Sequence, residues 1–466
     1  MPIIKSHQFN LTGATMKPEA RLLLLLMIFL ILPVAGQTNQ TLDDYIREGL
    51  KNNIVLQQKK ISYEKAVYDL NSATSLFFPS IDFSASYVHG TGGRSIDIPV
   101  GDLLNPVYQT LNQLTGSNAF PQVQNVKENF FPYKFYDARF RASMPILNTD
   151  LIYNRQIEKS KKLISEYEVS LYKKELVKEI KSAYYNYLSS VEAIRIYKSA
   201  KELVTEAKRT AESMYKNGAG LYHYVLRTES ETESINSQLL DAESKSKSAK
   251  KYFNFLLNKD LNADVNINPV TEDISSINPV DESLTIREEI KMLSESVEIN
   301  KSLLKMNKFF LIPKVSGFFD YGAQDMEWRY NRESRYTLWG VQLDIPIFEG
   351  FRNMNKIETA ALGLQDAELE LKLTENAMSL SLSVAKDELL TAKQNYLSAQ
   401  AQLKAAESYN NLVEKGYREG VGSFIETVDA RNQLTTAKTL VNISKHKVLI
   451  ANAEYERQNS TIKIDY

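Results

Sequence analysis

From Thr149 to Asn217 the chain runs 69 residues without a glycine or a proline. Glycine costs roughly 1 kcal/mol inside a helix and proline about 3, so the usual reasons for a helix to stop are missing. As one helix the stretch would span about 100 Å, far beyond the roughly 10–14 residues common in globular domains. Its apolar residues Tyr184, Tyr187, Leu188, Val191, Ile194 and Tyr197 keep spacings of three and four, the period of one helix face. A second run extends from Leu364 to Lys415, and back through Gly363 to about Asn353 if that glycine is tolerated. Near the C-terminus Leu434, Val441, Val448 and Tyr455 recur every seven residues, a coiled-coil interval. Only 18 glycines and 13 prolines occur in 466 residues, which favours long helices over a loop-rich enzyme.

The chain also repeats itself. Leu76–Tyr87 resembles Phe310–Tyr321, Met144–Leu147 recurs as Ile345–Phe348, and Tyr215–Gly220 as Tyr417–Gly422. Three matched pairs in one order point to duplication. Pro79 and Pro313 lie 234 apart, Pro145 and Pro346 only 201, so the first copy holds 33 extra residues. That insertion, from about His89 to Pro132, is rich in Gly, Pro and Asn and reads as a long surface loop. Each copy reads as helix, two strands, long helix, turn and helix. The resulting division is a leader over 1–36, a first repeat over 37–258, an irregular connector over 259–283 marked by Pro269 and Pro279, and a second repeat over 284–466. Helix lengths suggest end-to-end stacking: Leu221–Leu257 with Leu284–Leu311, and Thr41–Phe77 with Ser423–Asn459, each pair matching one long helix, with the connector near mid-height.

Between the helices lie four segments of period two. Ile81, Phe83, Ala85 and Tyr87 alternate with polar residues, as do Tyr136, Ala138, Phe140, Ala142 and Met144. In the second copy Val315, Gly317, Phe319 and Tyr321 alternate less cleanly because Phe318 intervenes, while Thr337, Trp339, Val341, Leu343 and Ile345 form the fourth segment. A half-buried sheet in a soluble α+β domain would give this pattern, and so would a membrane barrel with lipid outside and a wet lumen inside. Four strands cannot close a barrel. In lipid an open edge leaves backbone groups unpaired at several kcal/mol each, so copies would have to share one. Two copies give eight strands filled by side chains, and three give twelve with room for a channel. A C3 trimer is the smallest conducting solution.

The remaining features narrow the class. A formal charge of −1 lacks the basic excess of a nucleic-acid binder. Zero cysteines exclude disulfides, thiolate metal sites and a lipid-anchored N-terminal Cys, and the four histidines never fall at i, i+4. No nucleophile elbow, P-loop or HExxH is present, so neither an enzyme nor a cofactor is expected. Lys17 and Arg21 precede an apolar run of eleven, Leu22–Leu32, and a small-residue exit at Pro33–Gly36. That is a secretory signal, too short to span a bilayer. Met16 could serve as its start, and the cleavage site is open.

On these residues the chain resembles the TolC-like outer-membrane efflux channel family over about Thr41 to Asn459. The similarity lies in the Pro145-Ile and Asp344–Arg352 segments, the Tyr-x-x-Gly turns, and the Gly420–Ala430 entry to the last helix. The resemblance implies an α+β membrane protein: a tube of long helices joined to a transmembrane β-barrel of four strands per protomer, as a homotrimer. It implies an exit duct of a tripartite efflux or type I secretion system, docked to a periplasmic adaptor and, through it, to an inner-membrane pump. Drugs, metals and proteins all remain open as cargo. An exported coiled-coil protein binding partners at the cell surface is the alternative.

Candidate sites follow. Glu426 and Asp429, at i, i+3, match acidic positions that in the family face the lumen near the periplasmic entrance, where three copies would stack two carboxylate rings; a solvated helix face would carry the same pair. Their first-repeat counterparts are Tyr224 and Arg227. The hairpin tips Gly218, Gly220, Leu221, Gly420, Val421, Gly422 and Ser423 meet adaptor hairpins in the family, although Gly218 and Gly420 are explained equally by helix C-capping. Ile81, Phe83, Tyr87, Phe140, Phe319, Trp339, Val341 and Leu343 would face lipid, and Trp339, Tyr87, Tyr136 and Tyr321 could form aromatic girdles. Phe348–Phe351 would mark the strand-to-helix junction.

Overall fold

The computed structural model describes residues 41–130, 133–267, 274–279 and 287–462; the leader and Pro269 lie outside them. Helices α1 (Leu42–Asn52) and α2 (Ile54–Ser75) lead into strand β1 (Ser80–His89). Strand β2 (Ser95–Ile98), helix α3 (Val100–Thr115) and strand β3 (Val126–Asn129) precede β4 (Lys134–Leu147), which is followed by α4 (Thr149–Lys216) and α5 (Tyr222–Leu256). A 3-10 turn at Ile274–Ser276 comes before α6 (Glu288–Lys308), β5 (Lys314–Asp325), β6 (Arg335–Asp344), α7 (Arg352–Arg418) and α8 (Phe424–Gln458). α4 has 68 residues and α7 has 67, about 100 Å each. Among the described residues no helix is long and apolar enough to cross a membrane.

The segment expected as one helix from Thr41 to Phe77 is broken at Asn53, whose backbone is extended (φ −61°, ψ 125°). The Asn53 Oδ1 accepts the Leu56 N–H at 3.0 Å and so starts α2 afresh. Its Nδ2 donates at 3.1 Å to the Leu256 carbonyl, one of the orphan acceptors at the end of α5. One side chain thus closes two helix ends and puts α2 and α5 on one line.

That joint corrects the expected stacking. α5 is continued by α2, not by α6, and α8 is continued by α6, not by the first helix. At the second joint Arg457, in the last turn of α8, donates to Glu289 in the first turn of α6 at 2.8 Å. α4 packs against α2, α5, α6 and α8, and α7 against α6 and α8. Length could not decide the pairing, because Leu221–Leu257 and Ser423–Asn459 are both 37 residues long and exchange without changing either total.

The main core lies where these joints fall. Tyr45 and Ile46 of α1 pack with Leu176, Val177 and Ile180 of α4 and with Phe253 and Leu257. Gly49 permits the approach: a Cβ there would stand 2.4 Å from the Ile180 side chain. The connector crosses the second joint, with Ile274 against Ala385, Leu389 and Val448, and Lys393 donating to the Ile277 carbonyl at 2.9 Å.

The insertion is not the loop its composition suggested. β2 and β3 pair antiparallel from Ser95 opposite Asn129 to Ile98 opposite Val126, and α3 lies between them in the chain. Its asparagines act as side-chain grips on backbone rather than as turn formers.

Asn53→Ala removes a buried cap and a buried donor together. The expected result is a loss of about 1–3 kcal/mol in unfolding stability, with Gln57→Ala, exposed one turn later, near neutral; denaturant titration measures both.

Candidate functional site at the sheet and the helix tips

The four main strands form one antiparallel sheet in the order β1-β4-β5-β6. Cross-strand rows hold like with like: Ile81, Ala142, Phe319 and Trp339 in one, Phe83, Phe140, Tyr321 and Thr337 in the next. The Phe83 and Phe140 ring centroids are 4.9 Å apart. Val341 and Leu343 continue this face, and all eight residues expected to meet lipid are exposed on it, Trp339 at 76%. Tyr136 is the exception among the aromatics, buried under Trp328 of the β5–β6 turn, which stacks on it at 4.6 Å and on Tyr87 at 6.0 Å. Nothing in the period-two pattern marked Trp328, because it lies outside the strands.

The opposite face is polar and paired. Arg141 donates to both oxygens of Asp320 at 2.7 and 2.6 Å, with Asp82 in the same row. Asp137 accepts from Tyr336 at 2.8 Å and from Arg139. Phe318, which broke the alternation, lies on this side beneath Arg141, 5.2 Å from its guanidinium. Gly340 opposite leaves room for the ring, since a Cβ there would meet it at 2.9 Å. Among the described residues two features are left over: an uncovered apolar face, and free outer edges on β1 and β6. In water such a sheet invites edge-to-edge pairing.

β6 ends at Asp344 and α7 begins at Arg352. Between them Gly350 and Phe351 both take left-handed backbone (φ 62° and 63°), and the Phe348 and Phe351 rings meet edge-on at 5.4 Å. The expected junction is therefore where chain direction changes, held by a non-glycine left-handed residue that costs about 1–2 kcal/mol.

At the far end of the long helices the two tips are built alike. After α4, Ala219 N–H donates to the Met214 carbonyl at 2.9 Å and Gly218 N–H to Tyr215 at 3.1 Å; after α7, Val421 donates to Gly416 at 3.0 Å and Gly420 to Tyr417 at 3.1 Å. Both are Schellman turns with a left-handed glycine, Gly218 at φ 69° and Gly420 at φ 79°. Gly220 and Gly422 have a steric reason too: a Cβ would lie 2.9 Å from Met214 Cβ and from Tyr417 N, respectively. Leu221 and Val421 project from the turns, Val421 84% exposed.

The starts of α5 and α8 differ. Ser423 and Glu426 form a capping box, Ser423 N–H donating to the Glu426 carboxylate at 2.9 Å, whereas Leu221 offers no side-chain cap. Asp429 accepts from Gln433 at 2.7 Å. Both carboxylates are exposed on one side of α8, and Glu426 serves its own helix whatever else it does. Sequence reasoning missed the buried pair below them, Arg431 to Glu231 at 3.1 Å, which ties α8 to α5. Its signal was a charge between Val428 and Leu434 on a buried stripe.

Residues 287–457 match the family model described as outer membrane efflux protein. The match runs from the start of α6 to the end of α8. Solved structures of the same fold extend the likeness to both halves. The Campylobacter jejuni CmeC outer membrane channel aligns at 18% identity and TM-score 0.74, covering 97% of this chain and 94% of that one. VceC of Vibrio cholerae aligns at 12% and 0.73, covering 90% and 95%, and the Neisseria gonorrhoeae MtrE outer membrane channel at 14% and 0.72, covering 90% and 88%. No curated protein matches in sequence.

The matched segment begins and ends on one ion cluster. Arg287 and Arg457 both donate to Glu289, at 3.0 and 2.8 Å, and Arg457 also reaches Glu175 at 3.0 Å. Burial alone would raise the Glu289 pKa, but the two guanidinium groups outweigh it and hold the carboxyl at about 2. A folded-state value below the ordinary 4.5 means that this contribution is complete above pH 4.5 and is lost as pH falls toward about 2. Amide exchange over the first turns of α6 should therefore accelerate within that window, and in Arg457→Gln it should already be fast at neutral pH. Gly422→Ala should open the tip between α7 and α8 to protease, while Val421→Ala leaves cleavage unchanged.

Proposed function

We propose that the chain is the passive exit duct of a tripartite efflux or type I secretion system, exported by its leader and seated in the outer membrane. The observation that carries this is the open sheet, apolar and uncovered on one face with two unpaired edges, standing at one end of helices about 100 Å long. Three copies would join β1 of one to β6 of the next, closing twelve strands around a wet lumen lined by Asp82, Arg141, Asp320 and Asp137. Their helices would continue as a periplasmic tube. The tips, with Leu221 and Val421 outermost, would meet a periplasmic adaptor that links them to an inner-membrane pump. No step of chemistry is assigned to the duct and no cofactor is needed. An exported coiled-coil protein would use the helices but would have no use for eight bare apolar strand residues.

In the trimer Glu426 and Asp429 would form two acidic rings at the periplasmic mouth, supplied by the second repeat alone. Glu426→Gln keeps a side-chain oxygen for the cap and removes the charge, so it separates the two roles. The test is a heat-modifiable trimer in detergent that forms channels in a planar bilayer. Divalent cations should block them, and the Glu426→Gln, Asp429→Asn variant should need at least tenfold more cation for half block. A monomer that is soluble without detergent would end the proposal, and unchanged block would remove the acidic rings from it.

A further inference from the structure

The insertion between β1 and β4 holds itself together and leaves one side bare. Asn105 accepts the Val123 N–H at 2.8 Å and donates to the Val123 carbonyl at 2.9 Å. Two turns on, Asn112 does the same to Phe120, at 3.0 and 2.8 Å. Asp102 accepts from Asn125 at 2.9 Å, the Tyr108 ring meets Phe120 at 5.6 Å, and a Cβ on Gly101 would stand 2.3 Å from the Val123 carbonyl oxygen. At about 100° per residue these positions share one face of α3. The opposite face carries Leu103, Val107 and Leu114, all exposed, Leu114 at 78%. Asn105, Asn112 and the Tyr108–Phe120 contact hold the inside of the unit, and Leu103, Val107 and Leu114 point away from it.

Lipid is a poor cover for this stripe. Helices that lie on a membrane surface carry Lys or Arg on their flanks, and α3 has neither, with Asp102 its one charge. A second copy of this chain is better placed. The insertion leaves β1 at His89, the end remote from the helices, and β1 is an edge strand whose outer side is unpaired. A copy that completes that edge would stand beside the root of the insertion.

We propose that the α3 stripes of neighbouring copies pack on one another across the outer mouth of the barrel, forming an external closure remote from the helix tips. This rests on the trimer reading above. In C3 symmetry three identical neutral stripes meet about one axis, and each covers what the next leaves bare.

The chain has no cysteine, so single introduced thiols report without background. Val107→Cys and Leu114→Cys lie on exposed positions that the fold does not need, and Gln109→Cys lies on another side of the helix. With a short bismaleimide on the detergent-solubilised or vesicle-reconstituted trimer, Val107→Cys and Leu114→Cys should link copies with at least fivefold the yield of Gln109→Cys. Trimers that form without these links, their thiols reacting freely with a water-soluble maleimide, overturn the closure and leave the duct intact. Quenching of a bimane attached to the Val107→Cys thiol by brominated lipid would place the helix in the membrane and also overturn it. Loss of the trimer itself would remove the duct reading as well, and native migration of the same sample distinguishes the two.

Discussion

Backbone hydrogen bonding at the sheet edges governs the whole architecture. Among the described residues β1 and β6 each present an unpaired outer edge beside an apolar face that no other element covers. A helix or loop folded over the edges would satisfy them in water, but the chain commits its helices elsewhere, extending them away from the sheet as rods. The opposite face completes the contrast: Arg141 and Asp320 neutralise each other and Asp137 takes the Tyr336 hydroxyl.

The rods need a different kind of stabilisation. Helices of such length have little core to share with a small sheet, so their packing is mutual, and the largest apolar cluster sits where short helices meet end to end beside α4. α1 lies across that region, admitted by Gly49, and the connector lies across the second joint through Ile274. Helix termini, ordinarily turned to solvent, are here buried and satisfied by the neighbour on the same line.

Much of this was legible in the residues. Absence of Gly and Pro disclosed α4 to within a few residues and α7 only with Gly363 admitted inside the helix, and period-two alternation placed all eight apolar strand residues on one exposed face. What stayed hidden depended on partners distant in the chain. Two segments of equal length concealed which helices continue each other, and Asn53 looks like any asparagine in a helical stretch until Leu256 is beside it. Arg457 and Glu289 are 168 residues apart, and no local pattern pairs them. The insertion misled for the opposite reason: Asn105 and Asn112 have turn chemistry, yet they use it on backbone across the unit. At the tips the glycines were expected, but the service of Glu426 to the Ser423 cap shows only in the geometry.

The two end-to-end joints are made of unlike materials. Asn53 closes the α2–α5 joint with a neutral amide, whereas Arg457 and Glu289 close the α6–α8 joint with opposite charges, and α4 runs unbroken past both. When the helical rod is wrung, α4 can behave as a leaf spring while the breaks beside it yield. Compliance is then lopsided across the chain, with one seam indifferent to ionic strength and the other softened by it, so salt would bias the direction in which the rod bends.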